Sequence, residues 1–325
     1  MKAVWYAATG PAREVLSLGQ MPTPLPGAED VLVRLRVSGA GLADAAARAG
    51  ASPMEWPRVV PHQDGAGVIE AVGRAVPPER INQRVWLWNA QAGRPLGTAA
   101  EYVALPAAQA VPLPHGTSFA AGACLGTPAM TVLHALLSDG GVEGQAVLLA
   151  GGGEALLHYG LQFARLLGAR LVVGTAATPQ QAARAMAMGA DACLPPAPTP
   201  GQAAELTEGE GFRRIIAADL GAVLPHLPAL LAPGGLCTAH GSATPAPALP
   251  FDALAGAGMG LRLLCPRRIP TAAREVTIAW LDHFLAQGGV RHPEVPMLPL
   301  SACAEAHERL EAGEAAGHIL LDVAA

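Results

Sequence analysis

The strongest constraint on the fold is a strand, turn, helix and strand near the middle of the chain. The apolar run Ala146–Ala150 is followed by three glycines at 151–153, and a helical pattern then extends from Glu154 to Leu167. Gly168 marks the helix end, and a second apolar strand covers Arg170–Gly174. This order is typical of a βαβ unit, because parallel strands need a crossover connection. The unit predicts a parallel sheet with helices on its faces.

The rest of the chain divides into a β-rich start, an α/β centre and a mixed tail. In the first hundred residues, short strand patterns are separated by segments rich in Pro and Gly. From about residue 116, apolar strands alternate with helical stretches. We predict a β-rich domain over 1–116 and 256–325 and a doubly wound domain over 117–255. Later elements are predicted as helices Ala222–Leu231, Thr271–Ala286 and Ser301–Glu311 and strands Leu236–Ala239 and Ile319–Val323.

Charge and composition exclude several classes of function. The formal net charge is −5, and no run of basic residues is present, which argues against nucleic acid or an anionic membrane as partner. The 21 basic residues comprise one lysine, Lys2, and twenty arginines, so Schiff-base, Walker A and kinase lysines are excluded. The uncharged stretch Tyr102–Ser138 is broken by prolines and predicts buried structure rather than a membrane span. A small molecule is the predicted partner.

The cysteines and the N-terminus indicate an intracellular setting. No C-x-x-C pair occurs among Cys124, Cys193, Cys237, Cys265 and Cys303, so neither a disulfide framework nor a zinc ribbon is predicted. We expect buried thiols. The first eight residues form a strand pattern without the features of a secretory signal, and cytoplasm is therefore the predicted location.

Several short stretches, in this order and spacing, resemble the medium-chain dehydrogenase/reductase superfamily, in particular its zinc-free quinone oxidoreductase branch, which includes zeta-crystallin. The stretches are Met1-Lys2-Ala3-Val4, Val31-Leu32-Val33-Arg34, Asp64-Gly65-Ala66-Gly67-Val68, Gly97-Thr98-Ala99-Ala100-Glu101-Tyr102-Val103, Pro128-Ala129-Met130-Thr131 and Leu231-Ala232-Pro233-Gly234-Gly235. The resemblance implies an α/β protein with a GroES-like β-rich domain and a Rossmann domain. It also implies NADPH as cofactor, a small apolar or quinone-like substrate, hydride transfer and a homodimer.

The resemblance also implies the site residues. The catalytic candidates are Asp44, Arg48, His62 and Thr131, and the cofactor-binding candidates are Thr131, Gly151, Gly152, Gly153, Thr175, Gly241 and Ser242. Asp44 and Arg48 are four residues apart on a predicted helix, and a mutual ion pair is the alternative interpretation.

No metal is expected. Zinc-dependent relatives use a cysteine and a histidine where this chain has Gly39-Ala40-Gly41-Leu42 and Gln63-Asp64, and no cysteine lies between residues 84 and 104 for a structural zinc site. His62 is interpreted as an isolated cleft or surface histidine.

Four positions depart from the family pattern around the cofactor. In the phosphate turn G-x-G-x-x-G, Gly152 occupies the first position, but Glu154 and Leu157 replace the second and third glycines. Glu154 either repels the phosphate or points to solvent at the helix N-terminus, and both interpretations remain open. Gln181 and His318 stand where relatives carry basic residues. The segment Gly174–Thr178 lacks the acidic residue that binds a ribose diol, which argues against NAD.

Two other functions remain open at this point. The scaffold could serve a cofactor-independent cyclase or isomerase, with Asp44, His62 and His134 as acid or base. It could also serve a binding protein without catalysis.

Overall fold

The protein is described by a computed structural model that covers residues 1–151, 154–314 and 317–325, with the side chains of 154 and 155 outside the description. The chain forms two compact units, one of Met1–Thr127 with His292–Ala325 and one of Pro128–Arg291. Each unit is described by itself below.

The strands, in chain order, are β1 (Lys2–Trp5), β2 (Ser17–Gln20), β3 (Asp30–Gly41), β4 (Asp64–Val72), β5 (Arg84–Leu87), β6 (Tyr102–Pro106), β7 (Ala110–Pro112), β8 (Ala146–Ala150), β9 (Leu171–Thr175), β10 (Ala192–Leu194), β11 (Phe212–Ala217), β12 (Leu231–Ala239), β13 (Gly260–Leu263), β14 (Met297–Pro299) and β15 (His318–Asp322). The α-helices are α1 (Ala12–Val15), α2 (Leu42–Ala49), α3 (Phe119–Gly122), α4 (Met130–Leu137), α5 (Glu154–Leu166), α6 (Pro179–Ala187), α7 (Pro200–Thr207), α8 (Leu220–Val223), α9 (Leu227–Leu230), α10 (Phe251–Gly256), α11 (Thr271–Ala286) and α12 (Cys303–Glu311). A π-helical turn covers Leu125–Ala129.

The first unit is built around the long strand β3. Among the described strands, the sheet order is β14-β15-β3-β4-β5-β7, with β6 also paired to β3 and with β1 and β2 as a separate antiparallel pair. Val33 and Leu35 of β3 are buried whereas Arg34 is exposed, as the period-2 pattern requires. Gly67 lets β4 lie close to β3, because a Cβ at residue 67 would lie 2.2 Å from the carbonyl oxygen of Arg34. Asn82 has φ 68°, a left-handed conformation that Asn tolerates better than most residues.

The second unit is a parallel sheet with helices packed on it. Within the described residues, the strand order is β10-β9-β8-β11-β12-β13, and all the pairs are parallel. Every residue of β8 is buried, as expected for a central strand covered on both faces. The doubly wound fold predicted from the sequence is therefore confirmed.

Both unit boundaries lie further along the chain than the sequence placed them. β13 pairs with β12, and α11 packs against α4, so residues 256–291 belong to the second unit. Residues 117–127 belong to the first unit, where the backbone N–H of Thr127 donates to Asp64.

Two local predictions are corrected. The predicted helix Ala222–Leu231 is interrupted into α8, a 3-10 turn over Leu224–His226 and α9, because Pro225 and Pro228 cannot continue an α-helix. β12 begins at Leu231, with the register against β11 shifting across Pro233-Gly234-Gly235. Cys124, Cys237 and Cys303 are buried as predicted, but Cys265 is exposed.

The uncharged stretch Tyr102–Ser138 is divided among β6, β7, α3, the π-helical turn and α4. No helix within the described ranges has both the length and the apolar character needed to cross a membrane.

Candidate functional site

The edge at which the parallel strands end is the candidate ligand site of the second unit. The chain runs from β8 to β9 on one side, whereas β11 lies on the other side of β8. The strand order therefore reverses between β8 and β11, and open α/β sheets bind ligands outside the carboxyl ends of their strands at such a reversal. The residues that follow these strands begin with Gly151, Ala218 and, after β12, His240.

The turn after β8 is anchored to the end of β9. Gly151 has φ +67°, a conformation that favours glycine, and its N–H donates to the hydroxyl of Thr175 at 2.8 Å. Thr175 is itself buried. These two predicted cofactor residues therefore lie together at the carboxyl edge of the sheet.

The remainder of the predicted phosphate turn is only partly described. Gly152 and Gly153 lie outside the described residues, and so does the side chain of Glu154. α5 begins at Glu154, so the helix follows the turn directly, as the βαβ unit predicts. The two interpretations of Glu154 stay open.

Packing between α5 and the sheet is tight at Gly160. A Cβ at Gly160 would lie 2.6 Å from Leu149 Cδ1, so the close approach of helix and strand occurs at Gly160. Leu157 lies near Gly174 of β9, with its Cδ1 atom 3.7 Å from where a Cβ would be, which is an ordinary van der Waals distance. The glycine that the close approach requires is therefore at 160, three residues beyond Leu157.

Asp219 connects the segments after β11 and β12. Its Oδ1 accepts hydrogen bonds from the N–H of Gly221 at 3.0 Å and of Ala243 at 3.1 Å. Leu220 N–H donates to the carbonyl of Gly241 at 2.8 Å, and the hydroxyl of Ser242 donates to the carbonyl of Thr244 at 2.6 Å. The predicted residues Gly241 and Ser242 therefore lie on an exposed loop shaped by Asp219. The sequence signal for Asp219 was an acidic residue after a buried strand, and we did not predict a role for it.

The loop after β9 is closed by its own side chains. Gln181 accepts a hydrogen bond from the N–H of Ala177 at 2.9 Å, and Thr178 accepts one from the N–H of Gln181 at 3.2 Å. Residues 175–183 contain no Lys, Arg, Asp or Glu. Gln181 thus shapes the loop that follows β9.

Thr131 lies in the first turn of α4 and is 1% exposed. Its hydroxyl has no hydrogen-bond partner among the described residues. His134, one turn further on, is partly buried, and burial followed by the charge of Arg262 lowers its pKa. Thr131 is a buried polar group in a unit whose topology predicts a ligand.

In the first unit, Asp44 and Arg48 both stabilise the position of α2. Asp44 accepts a hydrogen bond from the N–H of Gly41 at 2.9 Å, which caps the helix. Arg48 is 1% exposed, donates to the carbonyl of Gly10 and forms an ion pair with Glu311 of α12.

His62 belongs to a buried chain of hydrogen bonds. Arg48 Nε donates to His307 Nδ1 at 3.5 Å, so the proton of a neutral His307 is on Nε2, which lies 2.9 Å from His62 Nε2. His62 Nδ1 then donates to Ser38 Oγ at 2.8 Å, and the Ser38 hydroxyl donates to Thr98 Oγ1 at 2.8 Å. Thr98 completes the chain by donating to the carbonyl of Asp64 at 2.6 Å.

The interpretation of His62 as an isolated cleft or surface histidine is wrong. The side chain is fully buried and lies beside His307 and Cys303, which come from the far end of the chain. Burial, followed by the neighbouring His307, holds the pKa of His62 well below its usual range. Both rings are therefore neutral at physiological pH.

His62, Cys303 and His307 also place one nitrogen or sulfur atom each within 4.8 Å of one another. Such a set can ligate a soft metal ion. In the observed arrangement the Nε2 proton of His307 lies between the two rings, and the Arg48 guanidinium donates to the opposite nitrogen. Burial raises the pKa of Cys303 to about 12, which disfavours the thiolate. The arrangement is that of a hydrogen-bonded pair of imidazoles beside a buried thiol.

Asp64 at the start of β4 is a buried carboxyl group that the sequence did not single out as a site residue. It accepts hydrogen bonds from the N–H of Thr127 at 2.9 Å and from its hydroxyl at 3.0 Å. A Cβ at Gly126 would lie 2.2 Å from Asp64 Oδ1, so only glycine fits there. Burial and the charge of Asp44 raise the pKa of Asp64 to about 8, so this carboxyl group is protonated at neutral pH.

His318 occupies a different environment from that of a phosphate-binding residue. It is 2% exposed, and its Nε2 donates to the carbonyl of Ala123 at 3.2 Å. Burial lowers its pKa to about 4, so it is neutral. A Cβ at Gly39 would lie 2.6 Å from the same nitrogen, which fixes the ring against β3.

Comparison with known proteins identifies similarity over both units. Residues 27–115 match the model of the alcohol dehydrogenase GroES-like domain. Over 192 residues, 58% of this chain, the sequence is 32% identical to a quinone oxidoreductase of Pseudomonas aeruginosa and covers 57% of that protein. The chain thus spans about half the length of the curated relatives it matches.

Solved structures match the whole chain. An NAD-dependent alcohol dehydrogenase has a TM-score of 0.88 at 26% identity, covering 99% of this chain and 100% of the other. A mycobacterial protein complexed with NADPH has a TM-score of 0.86 at 26% identity, with 99% of both chains covered.

Proposed function

Because the chain belongs to the quinone oxidoreductase branch of the medium-chain dehydrogenase/reductase superfamily, we propose that it is a zinc-independent, NADPH-dependent reductase of quinones or α,β-unsaturated carbonyls. The observation that carries the proposal is the reversal of strand order between β8 and β11, with Gly151 and Thr175 joined at the carboxyl edge. This is the position at which open α/β sheets bind dinucleotides.

The residues of the second unit fit a dinucleotide. Gly151 leaves open space for a close approach, since a Cβ there would meet nothing within 4 Å and the residue has φ +67°. Thr131 offers a buried hydroxyl without a partner among the described residues. When bound, a reduced nicotinamide supplies the hydride for an electron-poor carbon. The protein contributes orientation and exclusion of water.

NADPH rather than NADH is proposed as the reductant. An acidic residue after β9 would bind the ribose diol of NADH, and residues 175–183 contain none. The mycobacterial structure at 26% identity is complexed with NADPH, which supports the same choice.

Zinc independence rests on the residues around β4. Gln63, where zinc-dependent relatives have a ligand, donates from its Nε2 to Gln91 Oε1 at 2.9 Å. Asp64 is bonded to Thr127 and protonated at neutral pH. Neither side chain is arranged as a zinc ligand.

The proposal includes a homodimer. β13 pairs with β12 on one side and is the edge of the described sheet on the other. Leu263 at the end of β13 is 72% exposed, and Phe251 of the neighbouring α10 is 67% exposed. An apolar edge strand is suited to pairing with a second copy about a two-fold axis.

Oxidation of NADPH by quinones and by enones in the presence of a metal chelator tests the proposal. We expect chelator-insensitive turnover with NADPH and much slower turnover with NADH. Gly151→Val should raise the KM for NADPH, because a β-branched residue does not adopt φ +67°. Gly258→Val is the matched control, since Gly258 has φ +63° and open space but lies at the end of α10. Absence of turnover with all acceptors, or turnover abolished by the chelator, would contradict the proposal.

A further inference from the structure

Three buried side chains of the first unit bring the donor atoms of a possible metal ligand set together. His62, Cys303 and His307 each place one nitrogen or sulfur atom within 4.8 Å of the other two, and all three are buried. Zinc-dependent relatives use a cysteine and a histidine at other positions, which are occupied here by Gly39-Ala40-Gly41-Leu42 and Gln63-Asp64. The expectation of no metal was based on those positions. This set therefore has to be judged on its own geometry.

Helix α12 supplies two of the three donors from one face. Cys303 and His307 are four residues apart on this helix, so their side chains lie one turn apart on the same side. The same spacing lets two histidines of a helix bind one zinc ion in metalloproteases. Cys303 is also the first residue of α12, and a helix N-terminus stabilises a thiolate. The helix thus favours the ligand form of the thiol, which burial opposes.

His62 is already oriented as a metal ligand. Its Nδ1 donates to Ser38 Oγ at 2.8 Å, and the Ser38 hydroxyl donates to Thr98 Oγ1 at 2.8 Å. Histidine ligands usually donate their second N–H to a fixed acceptor, which sets the tautomer and the direction of the ring. The lone pair of His62 Nε2 is therefore on the side of His307 and Cys303. His62 also has φ 82°, a strained conformation of the kind that clusters at functional sites.

The distances between the donor atoms are close to those of a trigonal metal centre. With bond lengths like those of zinc, about 2.0 Å to nitrogen and 2.3 Å to sulfur, such a centre separates nitrogen from sulfur by about 3.7 Å and nitrogen from nitrogen by about 3.5 Å. Cys303 Sγ lies 3.8 Å from His62 Nε2, and His62 Nε2 lies 2.9 Å from His307 Nε2. The sulfur is therefore at ligand spacing, and the two rings need to separate by about 0.6 Å.

The number of donors and the surrounding charge favour a monovalent ion. Among the described residues, no fourth His, Cys, Asp or Glu joins the group, whereas structural zinc sites have four ligands. The guanidinium of Arg48, which is 1% exposed, lies beside His307. A further buried positive charge is costly there. Cu(I) with one thiolate and two neutral imidazoles has zero net charge, whereas Zn²⁺ leaves a charge of +1. Soft thiolate ligands also select Cu(I).

We propose that His62, Cys303 and His307 form a buried three-coordinate site for Cu(I). Binding displaces the thiol proton of Cys303 to solvent, and the Nε2 proton of His307 moves to Nδ1. Copper enters and remains as Cu(I), so no oxidant or reductant takes part. Arg48 gives up its bond of 3.5 Å to His307 and retains its ion pair with Glu311.

The bound ion would be structural. It joins α12, near the end of the chain, to the segment before β4, and an ion that binds the folded chain stabilises it. All three ligands belong to the first unit. The inference therefore goes beyond the proposed function and does not depend on it.

Anaerobic titration with Cu(I), in competition with a chromophoric Cu(I) chelator, tests the site. We expect one tight site per chain, and weaker binding of Zn²⁺ in a parallel titration. Cys303→Ser and His62→Gln should each lower the Cu(I) affinity by about 100-fold or more, since even the loss of a residue that only orients a ligand costs 10–100-fold. Each ion is added both to the folded protein and during refolding from urea, because the site is buried.

Matched variants separate the site from other thiols and imidazoles. Cys124→Ser and His318→Gln each remove another buried group of the same unit and should leave the Cu(I) affinity unchanged. Cys265→Ser removes the exposed thiol and should also leave it unchanged. X-ray absorption at the copper edge of the wild type should show one sulfur and two nitrogen neighbours. This measurement does not require a variant to fold.

Three results would overturn the inference. The first is absence of tight Cu(I) binding after both ways of adding the ion. The second is tight binding that survives in Cys303→Ser or is lost in Cys265→Ser. The third is tighter binding of Zn²⁺ than of Cu(I), or a copper spectrum without a sulfur neighbour. Each of these results leaves the proposed dinucleotide site untouched, because that site is measured separately with NADPH.

Discussion

His62 Nε2 and His307 Nε2 lie 2.9 Å apart inside the first unit, although 245 residues separate them in the sequence. The contact joins the segment before β4 to α12, and its direction is set by Arg48, which donates to the other nitrogen of His307. The tail of the chain is therefore fixed to the β-rich start by buried, neutral polar groups as well as by apolar packing.

Replacement of His307 by leucine should destabilise the protein. The variant removes the His307 donor from His62 Nε2, which then has only the weak Cys303 thiol at 3.8 Å. It also leaves Arg48 Nε without its acceptor, and an unsatisfied buried group costs about 1–3 kcal/mol. The free energy of unfolding in urea measures the loss. His115→Leu is the control, since the His115 side chain is exposed. Equal stability of the two variants would contradict the network.

Stability should fall in mild acid because of the buried histidines. Burial lowers the pKa of His307 to about 3 and that of His318 to about 4, below the ordinary value of 6.5. Below pH 6.5 these histidines bind protons in the unfolded chain but stay neutral in the folded chain. The free energy of unfolding therefore decreases until the pH reaches the folded-state pKa values. Urea unfolding between pH 7 and pH 4 measures this slope. His318→Gln should reduce the slope, and an unchanged slope would show that His318 does not contribute.

Asp64 should lower the stability of the protein as the pH rises, which is the opposite of the effect of the buried histidines. Its pKa is raised from 3.8 to about 8 in the folded protein, so the folded chain retains a proton that the unfolded chain releases. Its contribution to stability is full below pH 3.8 and is lost as the pH rises to about 8. Asp64→Asn should therefore gain stability relative to the wild type as the pH increases over this interval. A constant difference between variant and wild type across the interval would indicate an ordinary carboxyl pKa.

The helix-to-strand contact at Gly160 should not tolerate a methyl group. In Gly160→Ala the new Cβ would lie 2.6 Å from Leu149 Cδ1 and 2.7 Å from Val132 Cγ2, and overpacking of this kind costs about 1–3 kcal/mol. Gly201→Ala is the matched control in α7, where nothing lies within 4 Å of the added methyl. Thermal unfolding should show a lower Tm for the first variant only, and a tolerated Gly160→Ala would mean that α5 lies further from β8.

Local patterns predicted the fold because they depend on neighbouring residues. The strand Ala146–Ala150 and the helix beginning at Glu154 lie where periodicity placed them, and α11 has the predicted bounds Thr271–Ala286. The extension of β12 back to Leu231 was not predicted, because Pro233-Gly234-Gly235 has the composition of a turn and is retained in the strand by pairing with β11.

The site was less predictable, since it depends on contacts between distant segments. His62 looked isolated because its partners His307 and Cys303 lie more than 240 residues away. The close approach of α5 to β8 at Gly160 likewise could not be predicted without knowing which faces meet.

Equilibrium titration of the protein with NADPH tests the central claim most directly. We predict saturable binding at one site per chain with a Kd of about 1–100 μM, in the range of ordinary enzyme substrates, and weaker binding of NADH. Absence of binding at about 1 mM NADPH, well above that range, would contradict the proposal that this chain is an NADPH-dependent reductase.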